Sequence, residues 1–220
     1  MMNKKQKAEL ITTYFNEILP FASCELNYTK DYELLIAVML SSQTTDKAVN
    51  KVTDKLFIKY PTLNHLNQAS VEEIELQIKE LGLYKNKAKN IKKIAEILIN
   101  EYNNIVPSDF EKLVSMPGIG RKTANVVRCE LFKIPEFPVD THINRIAKRL
   151  NIAKDDDSVL VVEDKLKKLF RKEQYILLHH QFIHFGRYYC SSQNPSCENC
   201  KLKLICKHIN RWICICFTLK

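Results

Sequence analysis

The stretch Leu113–Val127, LVSMPGIGRKTANVV, decides the fold class of the chain. Pro117 cannot continue the short helical segment before it, and Gly118 with Gly120 marks a special backbone turn. A new helix begins near Arg121 and runs past Val127. Two helices joined by a Pro-Gly-x-Gly turn make a helix-hairpin-helix. Glycines let such a turn approach a phosphate closely. The exposed N–H groups at the second helix's start, with its dipole, favour an anion there. Arg121 and Lys122 add positive charge at the same end. By residue type alone the turn is an ordinary helix–helix connection or a phosphate site, and Lys122 is a phosphate contact.

Outward from the hairpin the hydrophobic period stays helical. Leu34–Leu40 is continuously apolar, as a buried central helix would be. Val49, Val52 and Leu56 follow helical spacing, as do Ala88, Ile91, Ala95, Leu98 and Tyr102. Later stripes are Ile143, Ile146, Ala147 and Leu150, then Val159, Val162, Leu166 and Leu169. Ser70 with Glu73, and Ser108 with Glu111, have the spacing of capping boxes. A last helix spans Gln174 to Phe185. No alternating strand pattern and no tandem array occurs, so the fold class is all-α. Lys133 to Pro138 is the seam between domains.

Composition agrees. The 220 residues are 45% hydrophobic and 27% charged, the mixture of a globular protein rather than a disordered or collagen-like one. Four glycines are too few for the turns of a β-sandwich or a Rossmann fold. Lys and Arg outnumber Asp and Glu by 34 to 25, a net charge of +9 that points to a polyanion, most simply nucleic acid. No apolar run approaches a membrane span, and the opening MMNKKQKAEL lacks the apolar core of a secretory signal. The expected location is the cytoplasm if the source is bacterial and the nucleus if eukaryotic.

Of eight cysteines, Cys190, Cys197, Cys200 and Cys206 form a compact quartet. Without a secretory signal, a metal or cluster site explains it better than a disulfide framework. The spacing admits structural zinc or an iron–sulfur cluster. His180 and His184 stand four apart but lack a third ligand, and read as packing or surface residues. Cys24 and Cys129 read as buried thiols. The apolar end, RWICICFTLK, holds Cys214 and Cys216 and reads as an atypical tail over 212–220.

Five segments together carry a family resemblance. They are ELLIAVMLSSQTTD (Glu33–Asp46), LGLYKNKAKNI (Leu81–Ile91), MPGIGRKTANVV (Met116–Val127), PVDTHINRIAKRL (Pro138–Leu150) and the cysteine quartet. In this order they resemble the endonuclease III family, bifunctional DNA glycosylases of the helix-hairpin-helix superfamily, over roughly Leu10 to Cys206. The resemblance implies a base excision repair enzyme that removes oxidised pyrimidines from duplex DNA and cleaves the abasic strand by β-elimination. It makes Lys122 the nucleophile on the anomeric carbon and Asp140 the essential carboxylate. It assigns Gln43 and Leu83 to filling the hole left by a flipped nucleotide, and DNA contacts to Gly118, Gly120, Arg121, Arg187 and Lys201. It places one 4Fe–4S cluster on the four cysteines.

The resemblance also implies a monomer of two helical domains with the active site in the cleft between them. One domain is 24–133, with the hairpin at about 108–128; the other is 1–23 plus 134–211. The chemistry fits the residue types. An attacking lysine must be neutral, and the helix end and Arg121 both disfavour its ammonium form. Asp140 sits where a helix starts, so it is at once an N-cap and a fixed carboxylate able to stabilise a cationic sugar. Between Cys190 and Cys197 the loop SSQNPS carries no charge, which moves phosphate contact onto Arg187, Lys201 and Lys203. Two other readings differ in kind. An adenine-mismatch glycosylase would lack the hairpin lysine and use a glutamate where Ala37 stands. A non-catalytic DNA-binding module would need neither Lys122 nor Asp140.

Overall fold

The structure is a computed structural model that describes residues 2–209, so the tail with Cys214 and Cys216 lies outside the described residues. All regular structure among them is helical, and none is strand. The α-helices in order are α1 Lys4–Ile18, α2 Asp31–Leu40, α3 Asp46–Lys59, α4 Leu63–Gln68, α5 Val71–Ile78, α6 Tyr84–Tyr102, α7 Phe110–Val114, α8 Arg121–Phe132, α9 Thr141–Arg149, α10 Val159–Leu169 and α11 Tyr175–His184. A wider π-type turn, Phe185–Tyr189, extends α11, and a 3-10 turn spans Lys201–Ile205. No described helix is long and apolar enough to cross a membrane.

The chain divides into two compact units. One is Cys24–Ile134; the other joins the segment up to Ser23 to the chain from Pro135 onward. The first unit is built around α2, whose residues Leu34 to Leu40 are all buried. That is why the segment is apolar on every side. Its buried acid, Glu33, is satisfied: its carboxylate accepts from Thr29 N and Oγ1 at 2.8 and 2.9 Å and from Lys30 N at 3.2 Å. Val49, Val52 and Leu56 of α3 and the stripe Ala88, Ile91, Ala95 and Leu98 of α6 join the same core.

The second unit has its own core. Ile143, Ile146 and Ala147 of α9 pack with Val162 and Leu166 of α10 and with Phe15, Phe137 and Phe182. Phe137 meets Tyr175 and Phe182 edge-on, with ring centres 5.7 and 5.9 Å apart. Val159, part of the α10 stripe in sequence, is 47% exposed, because it sits in the first turn beyond the reach of the core.

Caps set most boundaries. Ser70 and Glu73 form the expected reciprocal box, with bonds of 3.1 and 2.7 Å. At α7 the expected Ser108 box does not form. Asp109 is the cap, its Oδ1 accepting from Lys112 N at 2.9 Å, so the helix starts one residue later. A carboxylate at this position also meets the helix dipole favourably.

Candidate active site

The hairpin is α7, the turn Ser115–Gly120 and α8. Met116 and Ile119 are buried and anchor the turn, and Ile119 N donates to Met116 O at 3.1 Å. Between them Gly118 takes φ +79°, a left-handed conformation that disfavours any side chain. A Cβ there would also lie 2.5 Å from Asn90 Nδ2. Gly118→Ala is therefore expected to lower stability by about 1–2 kcal/mol. Urea unfolding that leaves the midpoint unmoved would count against the strained turn.

Gly120 serves differently. Its backbone is extended and a Cβ would meet nothing within 4 Å. As the N-cap of α8 it offers no capping side chain, so the first N–H groups of α8 are left to another acceptor. Arg121 and Lys122 occupy the first turn of α8, and that turn itself contains no acidic residue. The Arg121 guanidinium lies over the Phe110 ring at 5.8 Å, bracing the hairpin. Lys122 is exposed.

Gln43 and Leu83 share an unusual backbone. Both are exposed and both have positive φ, 56° and 59°. Three of the other four such non-glycine residues are asparagines, which tolerate this region; a Leu there is an outlier. Leu83 is also 64% exposed. Strain of this kind persists where surrounding structure imposes it, and it gathers at functional sites. The imposing contact includes Lys87, in the first turn of α6 after Leu83. Its buried ammonium donates to Ser42 O at 3.1 Å and Thr44 Oγ1 at 3.0 Å, on either side of Gln43. Burial pulls its pKa down. Lys87 thus ties the Leu83 turn to the Gln43 turn. Nothing in residue type separates it from the other lysines of YKNKAKN; only its interior position in the helical period hints at it.

In the second unit Asp140 caps α9, its Oδ1 accepting from Ile143 N at 2.7 Å. His142 Nδ1 donates to Asp140 Oδ2 at 2.9 Å. Farther along α9, Arg145 Nη2 donates to Gly186 O at 2.7 Å and Cys190 O at 3.2 Å. Arg149 Nη1 reaches Cys190 Sγ at 3.1 Å and Ser191 O at 2.6 Å, and its Nη2 reaches Ser192 O at 2.8 Å. One helix therefore starts on the carboxylate and ends by holding the cysteine loop. Neither arginine was singled out by the sequence; both lie off the apolar stripe Ile143, Ile146, Ala147 and Leu150.

The quartet closes around that loop. Cys206 is buried with Leu202 and Ile205, while Cys190, Cys197 and Cys200 are half-buried. Burial pushes the Cys190 and Cys200 thiols up, and the Arg149 guanidinium opposes this at Cys190. Cys200 is also influenced by the charges of Cys190, Cys206 and Cys197. Among the described residues no three His, Cys, Asp or Glu side chains converge as ligands of one metal ion. Four thiols on one loop are a donor set that an iron–sulfur cluster takes, and structural zinc takes the same set. His179 and His180 are buried with rings 5.0 Å apart, consistent with packing.

The other candidates lie near the quartet. Arg187 is half-buried in the π-type turn. Lys201 Nζ is 2.6 Å from both carboxylate oxygens of Glu17, an exposed pair that a phosphate can displace at little cost. Lys203 Nζ donates to the Glu198 carbonyl.

Helical hairpin, capped carboxylate and cysteine loop together define a class of DNA-repair protein. The model of the HhH-GPD superfamily of base excision DNA repair proteins matches residues 36–172, and the chain belongs to that superfamily. Within it, endonuclease III of Bacillus subtilis (strain 168) is 44% identical over 207 residues, covering 94% of both chains. Among solved structures, a trapped endonuclease III–DNA covalent intermediate is 45% identical with a TM-score of 0.91, covering 97% of this chain and 100% of that one. A non-covalent endonuclease III–DNA complex is 45% identical with a TM-score of 0.92, covering 97% and 99%.

Proposed function

We propose that Lys122 is the nucleophile of a DNA glycosylase and AP lyase that acts in base excision repair on oxidised pyrimidines in duplex DNA. The observation that carries this reading is an exposed lysine in the first turn of a helix whose start has no side-chain cap. That end attracts the phosphates flanking a lesion. Closure by a flipped-out nucleotide excludes water from the attacking amine. The neutral Nζ attacks C1′, and the C1′–N bond breaks with its electron pair leaving on the base, which takes up a proton. Ring opening gives a protonated Schiff base. Loss of a C2′ proton then expels the 3′ phosphate, and water releases the lysine.

Asp140 stabilises positive charge on the sugar and assists deprotonation of Lys122. Gln43 and Leu83 fill the vacated space, where an apolar wedge separates base steps. Gly118, Gly120, Arg121, Arg187 and Lys201 contact the backbone. The four cysteines hold one 4Fe–4S cluster whose chemistry is structural, ordering the loop on the far end of α9. The enzyme works as a monomer in the bacterial cytoplasm. Alanine at position 37 and lysine at 122 disfavour an adenine-mismatch enzyme.

Borohydride trapping on abasic duplex tests the reading, with the adduct expected on the peptide containing Lys122. An adduct on another lysine would overturn it. Asp140→Asn should keep the fold, since an amide oxygen still caps α9, with stability changed by under about 1 kcal/mol. Base excision should fall by roughly 10²-fold or more while affinity for an abasic-site analogue holds. Parental excision by that variant would leave Asp140 only a cap.

A further inference from the structure

Nothing in the proposed chemistry uses Gly186, the glycine of the π-type turn that follows α11. It is buried, and it is not among the residues with positive φ, so the turn does not require a glycine for its backbone angle. The requirement is space. A Cβ at Gly186 would lie 2.9 Å from His142 Cβ and 3.5 Å from His142 Cα, closer to the first than real Cβ atoms come. The Gly186 carbonyl meanwhile accepts from Arg145 Nη2 at 2.7 Å. The glycine backbone is thereby docked on α9 at two positions one helical turn apart. π-type turns often accompany functional sites because they re-aim a short length of helix.

What His142 does with that room is visible at Asp140. A carboxylate only accepts, so His142 Nδ1 carries the proton in its 2.9 Å bond to Oδ2. Oδ1 is already taken by Ile143 N at 2.7 Å. The capping bond fixes one of the two carboxylate oxygens. Two donors from different directions fix the plane of the group, and the Asp140 side chain is only 9% exposed. The capping donor belongs to the α9 backbone. The second depends on where the His142 ring sits, and that depends on the missing side chain at Gly186.

We infer that Gly186 and His142 are positioning residues for the Asp140 carboxylate, Gly186 by leaving room for His142 and His142 by holding Oδ2 through its Nδ1–H. The inference rests on the proposed role of Asp140. An ordinary structural pair would affect stability and leave the chemical step alone. A positioning pair affects the chemical step, because sub-ångström displacement of a reacting group costs rate out of proportion to affinity.

The test uses the full chain and single-turnover excision from a damaged duplex, beside binding to an abasic-site analogue. His142→Leu should slow excision about 10- to 100-fold with binding unchanged. His142→Asn places an amide N–H donor at the position of Nδ1 and should restore most of the rate. Gly186→Ala should slow excision like His142→Leu. The Gly186→Ala/His142→Leu double variant should be no slower than the worse single one, since both lose the same bond. If Gly186→Ala does not accumulate as folded protein, the two His142 variants decide. Parental excision by His142→Leu, or equal losses in the Leu and Asn variants, overturns the positioning role; so do multiplying losses in the double variant. If these occur while Asp140→Asn is inactive, the role of Asp140 stands. Parental excision by Asp140→Asn removes both.

Discussion

Lys122→Ala is expected to abolish borohydride trapping and strand cleavage and to cut base excision by on the order of 10³-fold or more. The same variant should be slightly more stable than the parent. Lys122 lies in the first turn of α8 beside Arg121, with no acid in that turn. Cations at the positive end of a helix dipole are unfavourable, and alanine is the best helix former, so the exchange should add about 0.3–1 kcal/mol at low salt. Gain of stability with loss of chemistry is the signature of a residue kept against the preference of its own helix. DNA affinity should fall by less than about tenfold, because at most one phosphate contact is lost. A variant that no longer binds duplex would instead describe a lysine that serves the backbone, as in a non-catalytic binding module. Chemical unfolding, trapping and a binding isotherm on one preparation separate these outcomes.

The legible and illegible parts of the molecule differ in the range of the forces involved. The hairpin could be read because its causes are local: Pro117 stops a helix, Gly118 takes a left-handed backbone, and α8 restarts at Arg121. The all-α class followed from period alone, and the buried α2 from an unbroken apolar run. The α7 cap was missed by one residue because Ser108 and Asp109 are both good caps, and only the path of the chain chooses between them. The strained backbones of Gln43 and Leu83 were invisible, since no residue preference announces a left-handed leucine. They are imposed across space, and Lys87 is the clearest agent, buried 5% exposed between the two turns. His142, Arg145, Arg149 and Gly186 were missed for a related reason. Each acts through a partner some 40 residues away or through a vacancy that only packing defines, the His142 bond to Asp140 excepted.

Cys200→Ser is expected to have the largest effect on the protein itself. The parent should carry about four irons per chain and absorb broadly in the visible range. The variant should lose most of that iron and absorption, and much of its soluble yield. The reason lies in how little orders the segment from Cys190 to Cys206 beyond the Arg145 and Arg149 bonds to its first three residues. Its backbone bonds are short-range, Ser196 N to Tyr189 O at 2.8 Å, Cys197 N to Pro195 O at 2.9 Å and Cys200 N to Cys197 O at 3.3 Å. Yet the segment delivers Leu202, Ile205 and Cys206 to the core of the second unit. A few turns of this kind cannot offset roughly 1–2 kcal/mol of backbone entropy per ordered residue. Binding of the proposed cluster would supply the difference, so loss of one ligand should release both the loop and the apolar residues it buries. Cys24→Ser is the control. Cys24 is half-buried in the other unit, and its loss should leave iron and absorption at parental levels. Stoichiometric zinc in anaerobically purified parent would replace the cluster with a single-ion site. Undiminished iron in Cys200→Ser would remove that thiol from the ligand set and leave the loop to be ordered by the Arg145 and Arg149 bonds from α9.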